Sequence, residues 1–242
     1  MKSIFISIII PGFNEEKRIQ KTLQTLFSFC IHRFSHFEII FVDDGSTDKT
    51  RHIVKKLSSH IRQIQYLGYP QNKGKGYAIR FGLMHAKGKY IFFTDADLPY
   101  EPHFFSHAIK TFEQTDCDFI SGNRHLKKSR ADAGLSQKRI LASRIFSLLV
   151  HNLLDIEVTD TQCGIKGFRK ACARKIIQQS QINGYAFDVE IYILAKQNQW
   201  HVEFLPVVLV NNQLSKIRLG FDPFNIFMDI LKIFCRHKKV LK

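Results

Sequence analysis

The sequence predicts one α/β domain with a mostly parallel central sheet and helices on both faces. Two observations carry that expectation. Uninterrupted apolar runs rich in β-branched and aromatic residues alternate with helical segments, an order that builds parallel sheets buried on both sides. Several of those runs also stop in turn-forming or acidic residues, as strands do at the ligand-binding rim of an open α/β sheet.

The first strand runs from Ile4 to Ile10 and is broken by Pro11-Gly12, with Asn14-Glu15-Glu16 opening the next helix. Phe37–Val42 is a second apolar strand, running into Asp43-Asp44-Gly45-Ser46-Thr47-Asp48. There Gly45 permits a tight turn, and Ser46 or Thr47 is placed to cap a helix starting near Asp48. Gln63–Leu67 follows as a strand and Lys75–Ala86 as a helix. A fourth strand begins at Tyr90, ends in Asp95-Ala96-Asp97 and is stopped by Leu98-Pro99. In a parallel sheet the ends of strands one, two and four share a rim, so Pro11–Glu15, Asp43-Asp44 and Asp95–Asp97 converge. Paired carboxylates there suit Mg²⁺ or Mn²⁺, hard ions usually shared with substrate phosphates. An isolated Asp-x-Asp would read equally well as a polar turn; the second acidic strand end favours a site.

The 242 residues, 45% of them hydrophobic, suffice for one large core, and no linker or repeat divides the chain. The expectation is a single domain over 1–242, with 222–242 a C-terminal amphipathic basic helix and tail. The polar, basic stretch Lys127–Gln137 reads as an active-site loop. Five cysteines, an odd number without metal-ligand spacing, fit a reducing cytosol, with Cys163 a packed small residue. The histidines lack ligand spacing, and His151 reads as structural or exposed. One lysine and the short run Ile4–Ile10 do not make a secretory signal, and no apolar run approaches the roughly 18 residues that span a bilayer. A soluble protein, or one lying on a membrane, is expected.

The formal net charge of +15 draws nucleic acid, anionic lipid or phosphorylated substrates. With no aromatic-interleaved RNA motif, zinc finger or basic helix with heptads, nucleic acid is not the expected partner.

Ser7–Glu16, Val42–Asp48, Asn72-Lys73-Gly74-Lys75-Gly76 and Asp95-Ala96-Asp97 together resemble the family 2 glycosyltransferases. Asp160–Phe168 and Tyr185–Glu190 resemble the dolichyl-phosphate β-glucosyltransferase branch and its bacterial polyprenyl-phosphate relatives. The resemblance covers roughly residues 4 to 220. It implies a GT-A fold, an inverting hexosyl transfer, a nucleotide-sugar donor (UDP-glucose first, GDP-mannose as the alternative) and a polyprenyl phosphate acceptor. It implies that Pro11, Phe13, Glu15 and Asp44 line the nucleoside pocket, with Lys75 and Ala96 also on the donor side. Asp95 and Asp97 would place the ion against the diphosphate, and Arg124 would face phosphate. Arg139 and Ser143 would belong to the lipid-phosphate site, flanked by Asp160, Gln162 and Asp188, and Lys216 would reach back to the phosphates. Mannosyl relatives often carry Gln where this chain has Pro99 and Arg where it has Val210, which speaks against a mannosyl donor.

The chemistry asks for the same groups. A nucleotide-sugar breaks at the anomeric carbon and leaves charge on the diphosphate, which a divalent ion neutralises. A phosphate acceptor is already ionised, so cations rather than a base are needed, and Arg124, Arg139, Arg144, Lys166 and Lys216 are candidates. A saccharide-hydroxyl acceptor would need a general base, for which Asp160 or Asp188 would serve. A nucleotide-sugar or lipid-binding protein without turnover is the non-enzymatic reading, disfavoured by the intact Asp-Ala-Asp. Other readings stay open: Asp188 and Glu190 as helix-start acids, and Lys73–Gly76 as a plain turn.

Two helices bear on a membrane. In Arg139–Asp155 the polar residues Arg139, Ser143, Ser147 and His151 share one face, and in Phe224–Arg236 Asn225, Asp229, Lys232 and Arg236 form a narrow stripe. Each is core or embedded in an interface, and the basic residues 236–239 favour an anionic surface. The resulting expectation is a cytoplasmic enzyme, peripheral on the cytoplasmic face of a membrane.

Overall fold

A computed structural model describes residues 4–130, 158, 160–210 and 222–237. The strands among them are β1 (Ile6–Gly12), β2 (Phe37–Asp44), β3 (Ile64–Tyr69), β4 (Tyr90–Thr94), β5 (Phe119–Asn123), β6 (Ile165–Arg169) and β7 (Val202–Pro206). The helices are α1 (Ile19–Ile31), α2 (Thr50–His60), α3 (Lys75–His85), α4 (His103–Gln114), α5 (Lys170–Gln179), α6 (Phe187–Gln197) and α7 (Asp222–His237). One sheet runs in the order β3-β2-β1-β4-β6-β5-β7. Its neighbours are parallel except at β6, which runs antiparallel between β4 and β5. The chain leaves β1 toward β2 and returns on the other side as β4. The strand order therefore switches between β1 and β4, and a crevice opens at their carboxyl ends.

Alternate residues of each strand feed two cores. Ile8, Phe41 and Phe92 pack with Leu23 and Leu26 of α1 and Phe105 of α4 on one face. Ile9, Val42 and Phe93 pack with Ile79 of α3, Ile176 of α5 and Phe187 of α6 on the other. Burial on both sides is why the strands read as continuous apolar runs, each large side chain contributing roughly 1.5–3 kcal/mol.

The structure corrects two expectations at the end of the first strand. Pro11-Gly12 does not break β1: Pro11 and Gly12 pair with Val42 and Asp43. The β1–β4 ladder ends at Ile9 and Phe93, so Pro11 needs partners on one side only. Residues 14–16 do not open α1, which begins at Ile19, because Asn14 is held at a φ of 54°, outside the helical region.

Helix α7 buries one face in the core and leaves apolar residues exposed on another. Ile230 and Ile233 are buried with Ile226 and Phe234 against the second core, while Phe227 and Met228 remain 41% and 39% exposed. No helix among the described residues is long and apolar enough to cross a membrane. Arg139–Asp155, residues 131–137 of the expected loop and the tail 238–242 lie outside the described residues.

Candidate active site

The β1–α1 and β2–α2 loops are stitched together at the rim. Asn14 Oδ1 accepts from Thr47 N at 2.8 Å, and Ser46 Oγ accepts from Asn14 N at 2.9 Å. Thr50 Oγ1 accepts from Glu15 N at 2.7 Å. Ser46 and Thr47 thus do not cap α2, whose N-cap is Lys49 with no side-chain cap; Asp48 Oδ1, one residue earlier, accepts from Thr50 N at 2.9 Å. Gly45 sits at a φ of 75°, and a Cβ there would lie 2.7 Å from the backbone of Gln71 and Asn72. Asp44, 4% exposed, accepts from Lys73 N at 2.7 Å and Gly74 N at 2.9 Å. Burial raises its pKa, with those two amides working against the shift. Lys73–Gly76 is therefore more than a plain turn: Asp44 pins it to the rim, with Lys75 at the first position of α3.

At the end of β4 the two carboxylates face the crevice, Asp95 with 35% and Asp97 with 23% side-chain exposure. Ala96 between them is buried in the core, and its carbonyl accepts from Thr22 Oγ1 at 2.7 Å. Burial, then repulsion from Asp95, pushes the Asp97 carboxyl up to about 6, against the pull of Arg18. Arg18 lies 3.7 Å from Asp97 and 2.5 Å from Glu15. Gly164 closes the floor: a Cβ there would fall 1.9 Å from Asp95 Oδ2. No group of three or more His, Cys, Asp or Glu placed to hold a metal ion together occurs among the described residues. Two carboxylates with an open side fit Mg²⁺ or Mn²⁺ completed by diphosphate oxygens and water.

Behind Asp95 runs a buried ion chain. Lys75 Nζ lies 2.9 Å from Asp95 Oδ1 and 3.2 Å from Asp188 Oδ2, and Lys166 Nζ lies 2.7 Å from Asp188 Oδ1. Burial opposes the charge on Lys75, but Asp188 and Asp95 outweigh it and raise the ammonium pKa. Burial likewise opposes the charge on Asp188, yet Lys166 and Lys75 hold its pKa down. Lys166 is fully buried and also donates to the carbonyls of Cys163 at 2.6 Å and Thr161 at 3.2 Å. That burial removes it from the cations able to reach a bound anion. Asp188 and Glu190 are not ordinary helix-start acids either, since Glu190 accepts from Gln181 N and Ile182 N.

Arg124 and Asp160 form a bidentate pair at 2.6 and 2.8 Å, with the Arg124 amide on the same carboxylate at 2.8 Å. Burial opposes the Asp160 charge, but Arg124 outweighs it and holds the pKa low. Gln162 is half-buried, and its Nε2 is buried without a hydrogen-bond partner among the described residues. The two positions departing from the mannosyl pattern meet in space: Val210 N donates to Pro99 O at 2.9 Å.

The rim thus gathers Pro11, Phe13, Glu15, Asp44, Lys75, Asp95 and Asp97 at neighbouring strand ends, with Asp188 beneath them. Arg139, Ser143, Arg144, His151 and Lys216 lie outside the described residues. Sequence reasoning missed Arg18 and Gly164. The i, i+3 spacing of Glu15 and Arg18 was a signal for the first; the second had none beyond its place in Asp160–Phe168.

The fold matches glucosyl-3-phosphoglycerate synthase from Mycobacterium tuberculosis. The TM-score is 0.73 for its UDP complex and 0.72 for its complex with Mn²⁺, UDP and glucosyl-3-phosphoglycerate, each at 16% identity over 96% of this chain and 80% of that one. This is the GT-A fold of nucleotide-sugar transferases. The sequence profile described as "Glycosyl transferase family 2" matches residues 7–177, and the chain belongs to that family. The dolichyl-phosphate beta-glucosyltransferase of Saccharomyces cerevisiae is 32% identical over 96% of this chain and 75% of its own length. The Dictyostelium discoideum protein of that name is 32% identical over 97% and 74%, and the Drosophila melanogaster one 31% over 97% and 76%.

Proposed function

We propose that this protein transfers glucose from UDP-glucose to a polyprenyl phosphate, working at the cytoplasmic surface of a membrane. The names of its relatives support the sugar and the lipid. One structural observation carries the choice of a phosphate over a hydroxyl acceptor: Asp160 and Asp188, the two candidate bases, are both buried in ion pairs that hold their pKa values low. A carboxylate neutralised in this way is a poor proton acceptor. An acceptor that arrives ionised needs none.

In this reading Asp95 and Asp97 hold Mg²⁺ or Mn²⁺, which supplies charge neutralisation to the departing diphosphate. Glu15, Phe13 and Pro11 line the nucleoside side, and Asp44 supports them by fixing the 73–74 loop. Arg124 presents one positive edge toward the acceptor side while Asp160 fixes its orientation. Arg139, Ser143 and Lys216 are assigned to the phosphates by resemblance. Pro99 and Val210, the two departures from the mannosyl pattern, support a glucosyl donor. The exposed Phe227 and Met228 support contact with a lipid surface, and the basic residues 236–239 of the sequence favour an anionic one.

The test is an acceptor comparison with labelled UDP-glucose and Mn²⁺. Short-chain polyprenyl phosphate should be glucosylated, while the matching polyprenol and a simple glycoside should not. Transfer to either hydroxyl acceptor at a similar rate would overturn the phosphate assignment.

A further inference from the structure

The carboxylates at the end of β4 already carry resident cations. Lys75 sits 2.9 Å from Asp95, and Arg18 sits 3.7 Å from Asp97. Glu15, Asp95, Asp97 and Asp188 face Arg18, Lys75 and Lys166, so four negative groups are offset by three positive ones. A bare divalent ion entering this crevice therefore meets little net charge, and it must displace Lys75 from Asp95. It also finds only part of a coordination shell, because no third acidic or histidine ligand clusters there among the described residues.

Lys75 differs from the buried Lys166 in having somewhere to go. Lys166 is wedged between Asp188 and two carbonyls with no exposed surface. The side chain of Lys75 keeps 17% exposure and opens onto the crevice at the first position of α3. If Lys75 leaves Asp95, Asp188 keeps Lys166 at 2.7 Å and is not stranded. A diphosphate at the rim would offer the freed ammonium a new anion while its oxygens complete the metal shell.

We propose that Lys75 is a transferable counter-ion. It neutralises Asp95 in the empty site and turns to the diphosphate in the loaded one, so that metal and nucleotide bind as a unit. This inference rests on the reading of Asp95 and Asp97 as the metal carboxylates. Its consequence is that the bare metal binds weakly and the nucleotide diphosphate strengthens it, a coupling that is reciprocal.

The experiment titrates Mn²⁺ into the full chain and reads free Mn²⁺ by electron paramagnetic resonance, with and without saturating UDP, after subtracting the Mn²⁺ that the same UDP holds without protein. In the unaltered protein UDP should tighten Mn²⁺ at least tenfold. Lys75→Met should bind bare Mn²⁺ about tenfold more tightly than the unaltered protein and lose most of the UDP enhancement. Lys75→Gln, whose amide can still bond Asp188, should do the same and serves if the methionine variant fails to fold. Lys75→Arg, which keeps the charge, should leave bare Mn²⁺ binding within about twofold. Neutral variants that bind bare Mn²⁺ no better than the unaltered protein would overturn the role of Lys75, as would an arginine variant that behaves like them. If UDP fails to tighten Mn²⁺ even in the unaltered protein, the reading of Asp95 and Asp97 as a shared metal site falls instead.

Discussion

Gly164→Ala is the most specific perturbation of the site that the structure offers. The added Cβ would lie 1.9 Å from Asp95 Oδ2. An unstrained carbon–oxygen contact is about 3.3 Å, so the oxygen must retreat by roughly 1.4 Å, the difference between the two. The obstacle is the end of a side chain with 35% exposure, so Asp95 can swing aside and the fold need not move. A misplacement of about 1 Å in a positioned group costs on the order of a hundredfold in rate, equivalent to about 2.7 kcal/mol of transition-state stabilisation. Swinging Asp95 also breaks its 2.9 Å contact with Lys75. The expected result is therefore a kcat/KM for labelled-sugar transfer reduced about a hundredfold, with Tm changed by no more than about 4 °C. Unimpaired transfer by Gly164→Ala would refute the placement of Asp95 in the catalytic geometry. Collapse of the fold would refute the claim that only its side chain stands in the way.

Three further perturbations follow from the same geometry. Asp97→Asn should abolish turnover while leaving thermal unfolding nearly unchanged, because the lost charge is one that burial and Asp95 already disfavour; retained turnover at saturating Mn²⁺ would count against it. Asp160→Asn should cost about 3 kcal/mol at pH 7 by leaving Arg124 poorly paired. The Asp160 carboxyl lies below its unfolded pKa of about 3.9, so its contribution is present above that pH and is lost as pH falls through the lower folded value. The stability gap between variant and parent should thus start to narrow below about pH 3.9 and close further as pH falls through the folded value, and an equal gap in urea melts at pH 7 and about pH 2 would contradict the pairing. Phe227→Glu combined with Met228→Glu should weaken sedimentation with anionic liposomes while preserving Tm, since both side chains are exposed and the buried Ile230 and Ile233 are untouched; undiminished binding would remove α7 from the membrane contact.

β1, β2 and β4 were readable as long apolar runs, β3 as a short run of mixed polarity, and α3 because it follows a glycine–lysine turn, and their boundaries held to within a few residues. The β5–β7 half was not. Phe119–Asn123 contains Ser, Gly and Asn, and Ile165–Arg169 carries Lys166 and Gly167, so neither reads as a buried strand. Those residues are tolerated for reasons that lie far along the chain. Ser121 accepts from Tyr192, 71 residues away, and Lys166 is neutralised by Asp188. The same limit governed the site. Spacing alone marked Asp95 and Asp97, whereas the partners of Asp44, Asp160 and Asp188 depend on which loops the sheet order brings together. Lys166 looked like a cation for substrate because burial cannot be read from one residue in a short strand.

Label transfer into lipid tests the central claim most directly. The protein is incubated with Mn²⁺, short-chain polyprenyl phosphate and either UDP-[¹⁴C]glucose or GDP-[¹⁴C]mannose, and the organic phase is counted after extraction. The account predicts label in that phase from UDP-glucose, abolished by EDTA and restored by added Mn²⁺. Lipid labelling from GDP-mannose in preference to UDP-glucose, or full labelling in EDTA, would contradict it.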